Sequence, residues 1–192
     1  MRSAFRVLAF YGLLLNIGVA QTDDSPTASQ LAAMERYATR PTARITWSKE
    51  VDRIEGGQTK AVITALVVDD ATQSSRQMRG IRIDLASQDV TDRVYVGEPF
   101  LKRLIDALDE VSKGMGSFLS RSTVSSRCFG SGAFLSAVRE GAHFFHASQC
   151  SMADGWFGLS VSTGAARFRF TDLTPSPFAS TIGHAMDELK QH

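Results

Sequence analysis

Cysteine is almost missing from this chain: Cys128 and Cys150 are the only two among 192 residues. Two thiols are too few for a disulfide scaffold or a four-thiolate zinc site. There is no excess of charge of either sign, with 21 Lys+Arg against 20 Asp+Glu and a formal charge of +1. That balance removes the bulk electrostatics by which a chain holds nucleic acid or an anionic membrane, so no nucleic-acid partner is expected. Proline occurs five times and hydrophobic residues make up 43% of the chain, an ordinary globular composition that is neither collagen-like nor disordered. Beyond the first twenty residues, no apolar run approaches the ~20 residues that a membrane span requires. Asparagine appears once, at Asn16, and lysine five times against sixteen arginines. This bias fits a GC-rich bacterial genome.

Residues 1–20 read as a secretory signal. Arg2 and Arg6 precede an apolar stretch from Val7 to Val19, and Gly18-Val19-Ala20 offers a small-x-small cleavage site after Ala20. The stretch is short for an anchor, and Gln21-Thr22-Asp23-Asp24 follows without a positive stop-transfer flank. The expectation is a periplasmic or secreted protein with no membrane span after cleavage. Loss of the two signal arginines leaves the mature chain at −1.

Residues 21–42 form a polar linker or short helix, with Ser25-Pro26 as a start signal, Leu31, Met34 and Tyr37 on one face, and Pro41 as the stop. From Ala43 the period becomes two. Strands are predicted around Ile45–Trp47, Lys60–Val68, Ile81–Leu85 and Val90–Val96, with turns at Glu55–Gln58 and a polar loop from Ala71 to Gln77. A helix follows, opened by Pro99, carrying Phe100, Leu101, Leu104, Ile105, Leu108 and Val111 on one stripe, and closed by Gly114. The plan then repeats. Strands are predicted over Phe118–Val124, Ala133–Val138, Ala142–Ser148, Trp156–Thr163 and Ala166–Phe170. A helix capped by Ser176-Pro177 follows, with Phe178, Ile182, Ala185, Met186 and Leu189 inward. Residues 43–192 are therefore expected to be a single α+β domain in halves 43–114 and 115–192. Each half is a β-meander followed by a helix packed on the sheet.

The cysteines flank a hairpin centred near Arg139-Glu140. Opposed positions in an antiparallel hairpin have a constant index sum, near 279 for that turn, and the two cysteines sum to 278; a bulge at Gly141 absorbs the difference. A Cys128–Cys150 disulfide is expected, since export makes one chemically permitted.

Recognised chemistry is scarce. His143 and His146 are three apart on a strand and so lie on opposite faces, which prevents them from sharing a metal. Gly158-Leu159-Ser160-Val161-Ser162 lacks the second glycine and the following helix of a nucleophile elbow. Phe129-Gly130-Ser131-Gly132 lacks the helix and lysine of a phosphate loop. Asp69-Asp70 reads as a strand end, and Asp106, Asp109 and Glu110 as a solvated helix face. No catalytic residue, metal or cofactor is predicted. One feature stands apart. Arg167 and Arg169 alternate with Phe168 and Phe170, so the two guanidiniums project from one strand face, which reads as a solvated face or, alternatively, as a site for an anionic ligand or partner.

The segments Gly80-Ile81-Arg82-Ile83-Asp84, Arg93-Val94-Tyr95-Val96 and Leu101–Val111 resemble a group of small exported bacterial proteins of unknown function. In these a strand pair leads into a Leu-Ile-x-Ala-Leu helix, then a β-meander and a C-terminal helix, like Phe157 to Leu189 here. The resemblance implies the same α+β plan and transfers no site residues. The functional expectation is a non-enzymatic binding or interaction module for a protein or small ligand. An apolar-ligand carrier, suggested by twelve phenylalanines, and a hydrolase with dispersed residues are the alternatives.

Overall fold

The computed structural model describes residues 33–119, 127–130, 145–151, 157–163 and 166–192. The signal segment, Ser25-Pro26, Leu31, the predicted strand at Ala133–Val138, the Arg139-Glu140 turn and His143 lie outside these residues.

A short helix, α1 (Ala33–Ala38), leads into four strands: β1 (Ala43–Gly56), β2 (Thr59–Asp70), β3 (Gln73–Ser87) and β4 (Val90–Gly97). They pair antiparallel in chain order. Helix α2 (Glu98–Leu119) follows. A second meander comprises β5 (Arg127–Gly130), β6 (Phe145–Ser151), β7 (Phe157–Thr163) and β8 (Arg167–Thr171), again antiparallel in chain order, and α3 (Ser176–Leu189) closes the chain. The fold is α+β, a meander and a helix written twice.

Alternation places Ile63, Ala65 and Val67 of β2 and Ile81, Ile83 and Leu85 of β3 on one face of the first sheet, all at most 2% exposed. Against that face pack Leu101, Leu104 and Leu108 of α2, Phe178, Ile182 and Leu189 of α3, and Leu159, Val161, Phe168 and Phe170 of the second sheet, in one apolar cluster. Phe170 meets Phe178 edge to face, with ring centroids 5.2 Å apart. β2 is also buried on its other side over its last third. There Leu66 and Val68 lie with Tyr95 beneath Met34 and Tyr37 of α1. Met34 and Tyr37 dock this helix, because the sheet supplies the rest.

Four local expectations are corrected. The polar loop at Ala71–Gln77 is a two-residue turn: Asp70 pairs with Gln73, and β3 begins there. Composition hid the strand, since Gln73-Ser74-Ser75-Arg76-Gln77 lacks apolar alternation and meets β2 only through Gln73 and Gln77, either side of a register shift. Gly114 does not end α2, which runs on to Leu119 and takes up Phe118, expected to start a strand. A helical glycine costs about 1 kcal/mol, too little to stop a helix that already has its stripe packed. β6 extends past Ser148 to Ser151. Finally, Pro175 rather than Ser176 occupies the cap position of α3, with no side-chain cap bond. The Ser176 hydroxyl instead lies 3.2 Å from Ser112 Oγ of α2.

Two contacts join the sheets at their edges. The buried Thr59 hydroxyl donates to the Arg169 carbonyl at 2.6 Å, and the Thr163 hydroxyl donates to the Asp92 carboxylate. Among the described residues no helix is long and apolar enough to cross a membrane.

Candidate functional site

The outer face of the first sheet is only half covered. Beyond the row of Thr64, Arg82 and Tyr95, whose Tyr95 lies beneath α1, the ladder continues in two rows set by register: Val62, Asp84 and Arg93; Lys60, Ala86 and Thr91. Paired residues share a face, so each row crosses three strands. Between them runs an open groove of about 620 Å³, lined by Lys60, Val62, Asp84, Ala86, Thr91 and Arg93 among others.

Asp84 sits at its centre and accepts from both sides: Arg82 Nε reaches Oδ2 at 2.7 Å and Arg93 Nε reaches Oδ1 at 2.5 Å. The Asp84 hydrogen bond is the main reason the Arg93 guanidinium is held above its ordinary pKa. On the flank, Lys60 pairs with Glu55 at 3.1 Å. Arg53 grips Glu50 with two bonds of 2.6 and 3.1 Å. That grip lowers the Glu50 pKa and raises that of Arg53. Both oxygens of the central carboxylate are engaged by guanidinium donors, and the groove presents charge of both signs.

Arg167 and Arg169 stand where alternation placed them, exposed on β8 while Phe168 and Phe170 are fully buried. They are not part of the groove; they belong to the second sheet. Arg167 Nε donates to Ser162 Oγ at 3.3 Å. Cys128 and Cys150 are direct partners in the β5–β6 register. His146 pairs with Ser162 on β7, and Gly158, Ser160 and Ser162 all belong to that strand. Asp69 and Asp70 end β2, as expected. Among the described residues no group of His, Cys, Asp and Glu is placed to hold a metal ion.

No known protein family, curated protein or solved structure matches this chain. The site therefore has to be read from its own geometry.

Lys60, Asp84 and Arg93 escaped the sequence reading, although a signal for them exists. Gln88-Asp89 makes a two-residue turn, with Ser87 opposite Val90. The constant index sum of that hairpin brings Asp84 opposite Arg93, an opposite-charge pair on the face away from Ile83 and Leu85. Gln-Asp is a weak turn dipeptide, and the register could not be fixed from it.

Proposed function

We propose that the protein is an exported, non-enzymatic binding module that takes a polar ligand or protein segment in the groove on the first sheet. The observation that carries this reading is the uncovered half of that sheet, an open 620 Å³ depression with charges of both signs above a floor of Val62 and Ala86. Its cations and carboxylates are held by one another, which gives a preorganised surface with little left to order on binding. Three of the phenylalanines that suggested an apolar carrier, Phe168, Phe170 and Phe178, are spent on the core. Export is supported by the Arg2–Arg6 flank, the Val7–Val19 stretch and the Gly18-Val19-Ala20 site.

Native mass spectrometry of the chain recovered from an exported fraction tests both parts. The expected mass begins at Gln21, with a bound species that is lost in an Ala86→Trp variant, whose indole fills the groove floor. A bare wild-type chain, or a species that survives Ala86→Trp in a folded protein, overturns the groove reading.

A further inference from the structure

We infer that the outer face of the second sheet binds a tetrahedral oxyanion, the phosphate class, between Arg167 and Arg169 and over the hydroxyls of Ser160 and Ser162. This rests on the reading of the protein as a binding module but uses a different sheet.

The register builds the site. Ser160 pairs with Arg169 and Ser162 with Arg167 across β7 and β8; Ser148 and His146 complete the same two rows on β6. Paired residues share a face, and alternate residues on a strand share it too, so the four donors of β7 and β8 form one patch. The arginine Cα atoms stand about 6.6 Å apart, two strand residues, with the serines directly opposite. Each guanidinium is exposed, and among the described residues neither has a carboxylate partner, in contrast to Arg53, Arg82 and Arg93 of the first sheet.

Ser160 points to a ligand independently. It is only 3% exposed, and among the described residues its hydroxyl has no hydrogen-bond partner. A buried hydroxyl left unpaired is destabilising, and alanine in its place would remove the cost unless a partner arrives. Arg169 is its cross-strand neighbour. A carboxylate is satisfied by one guanidinium fork, whereas two forks separated by hydroxyls match a group with three oxygens on different sides. A phosphate of either kind supplies that group, free or carried on an anionic lipid.

The test uses the full mature chain, with backbone amide and arginine Nε–H resonances followed by NMR. Inorganic phosphate is added in one arm and phosphatidylglycerol vesicles in a second, with phosphatidylcholine vesicles and chloride of equal ionic strength as references. Saturable shifts at Ser160, Ser162, Arg167 and Arg169 are expected. Shifts with phosphate identify a soluble ligand; shifts with phosphatidylglycerol alone identify a lipid headgroup. Arg169→Gln is expected to weaken binding about tenfold, the loss of one charge-assisted hydrogen bond. Ser160→Ala is expected to weaken it severalfold while leaving the melting temperature unchanged or higher, because the orphan hydroxyl is gone. Arg36→Gln, an exposed arginine on α1, is expected to have no effect. Shifts no larger than those from chloride, or a Ser160→Ala variant with lower stability and full affinity, overturn the inference. The groove is read by its own bound species, so that outcome leaves the groove proposal standing.

Discussion

Asp70 does more than end a strand. Its Oδ1 accepts from the Thr72 hydroxyl at 2.6 Å and the Thr72 amide at 2.9 Å, closing the two-residue turn into β3, while Arg40 Nη1 reaches Oδ2 at 3.5 Å from the segment behind α1. The Thr72 hydroxyl is the largest of the influences that hold the Asp70 carboxyl below its ordinary pKa. A carboxylate whose folded pKa is depressed stabilises the fold fully above its unfolded pKa, about 3.9, and loses that contribution as pH falls through the lower folded value. Asp70→Asn is therefore expected to melt below wild type at neutral pH, with the gap closing in strongly acidic buffer; thermal melts across pH check this. Gly57 gives a second residue-scale expectation. It turns β1 into β2 with φ +61°, and a Cβ there would stand 2.5 Å from Thr171 Oγ1 of β8. Gly57→Ala is expected to cost about 1–3 kcal/mol, the strain of a left-handed non-glycine position, measured by denaturant midpoint.

At the scale of elements, α2 shows what periodicity can and cannot convey. Its stripe of Leu101, Leu104, Leu108 and Val111 was legible because 3–4 spacing is a local property, and all four are buried. Its end was not, since Gly114 marks a helix terminus only where no packing carries the helix further. Leu104→Ala is expected to destabilise by about 2–5 kcal/mol, the range for a fully buried leucine, read from the denaturant midpoint at unchanged slope. Around the cysteines register follows from counting, not from propensity: Cys128 pairs with Cys150, while the Arg139-Glu140 turn and the Gly141 bulge lie outside the described residues. Directly opposed strand positions suit a bridge, so the protein recovered from an oxidising compartment is expected to run about 2 Da light of its reduced mass. Removing the bridge by Cys128→Ser with Cys150→Ser is expected to cost about 3 kcal/mol for a loop of this length. Strand β3 was half hidden because its first residues are polar and meet β2 only through Gln73 and Gln77. The groove was hidden for the related reason that its charges come from three strands whose register depends on tight turns.

For the molecule as a whole, the alternation of meander and helix was readable, and the way the two sheets share one core was not. Nothing in the residues of β8 says that it lies across the β1–β2 turn, where Thr59 donates to the Arg169 carbonyl and Phe170 approaches Gly56. Such long-range contacts are decided by which apolar faces are left after each meander forms, a property of the assembled chain. β2 is enclosed on both faces from Thr64 to Val68 and paired on both sides. Its amides are expected to be the last to exchange with solvent, at rates set by global unfolding, as hydrogen exchange would record.

The first strand carries a further consequence. β1 is fourteen residues long and lies at the rim of its sheet, with one side unpaired among the described residues, and Ile45 is half exposed on it. A rim of that length invites a second chain to add itself on. The register breaks at Ile45/Trp47 and again at Glu50/Asp52, so the free amides and carbonyls never present a long regular row. Arg44, Lys49, Glu50 and Arg53 set charges along the same rim. Bulges of this kind oppose edge-to-edge pairing, and a chain with β1 straightened by deleting one bulge residue is expected to aggregate more readily than wild type, as light scattering would record.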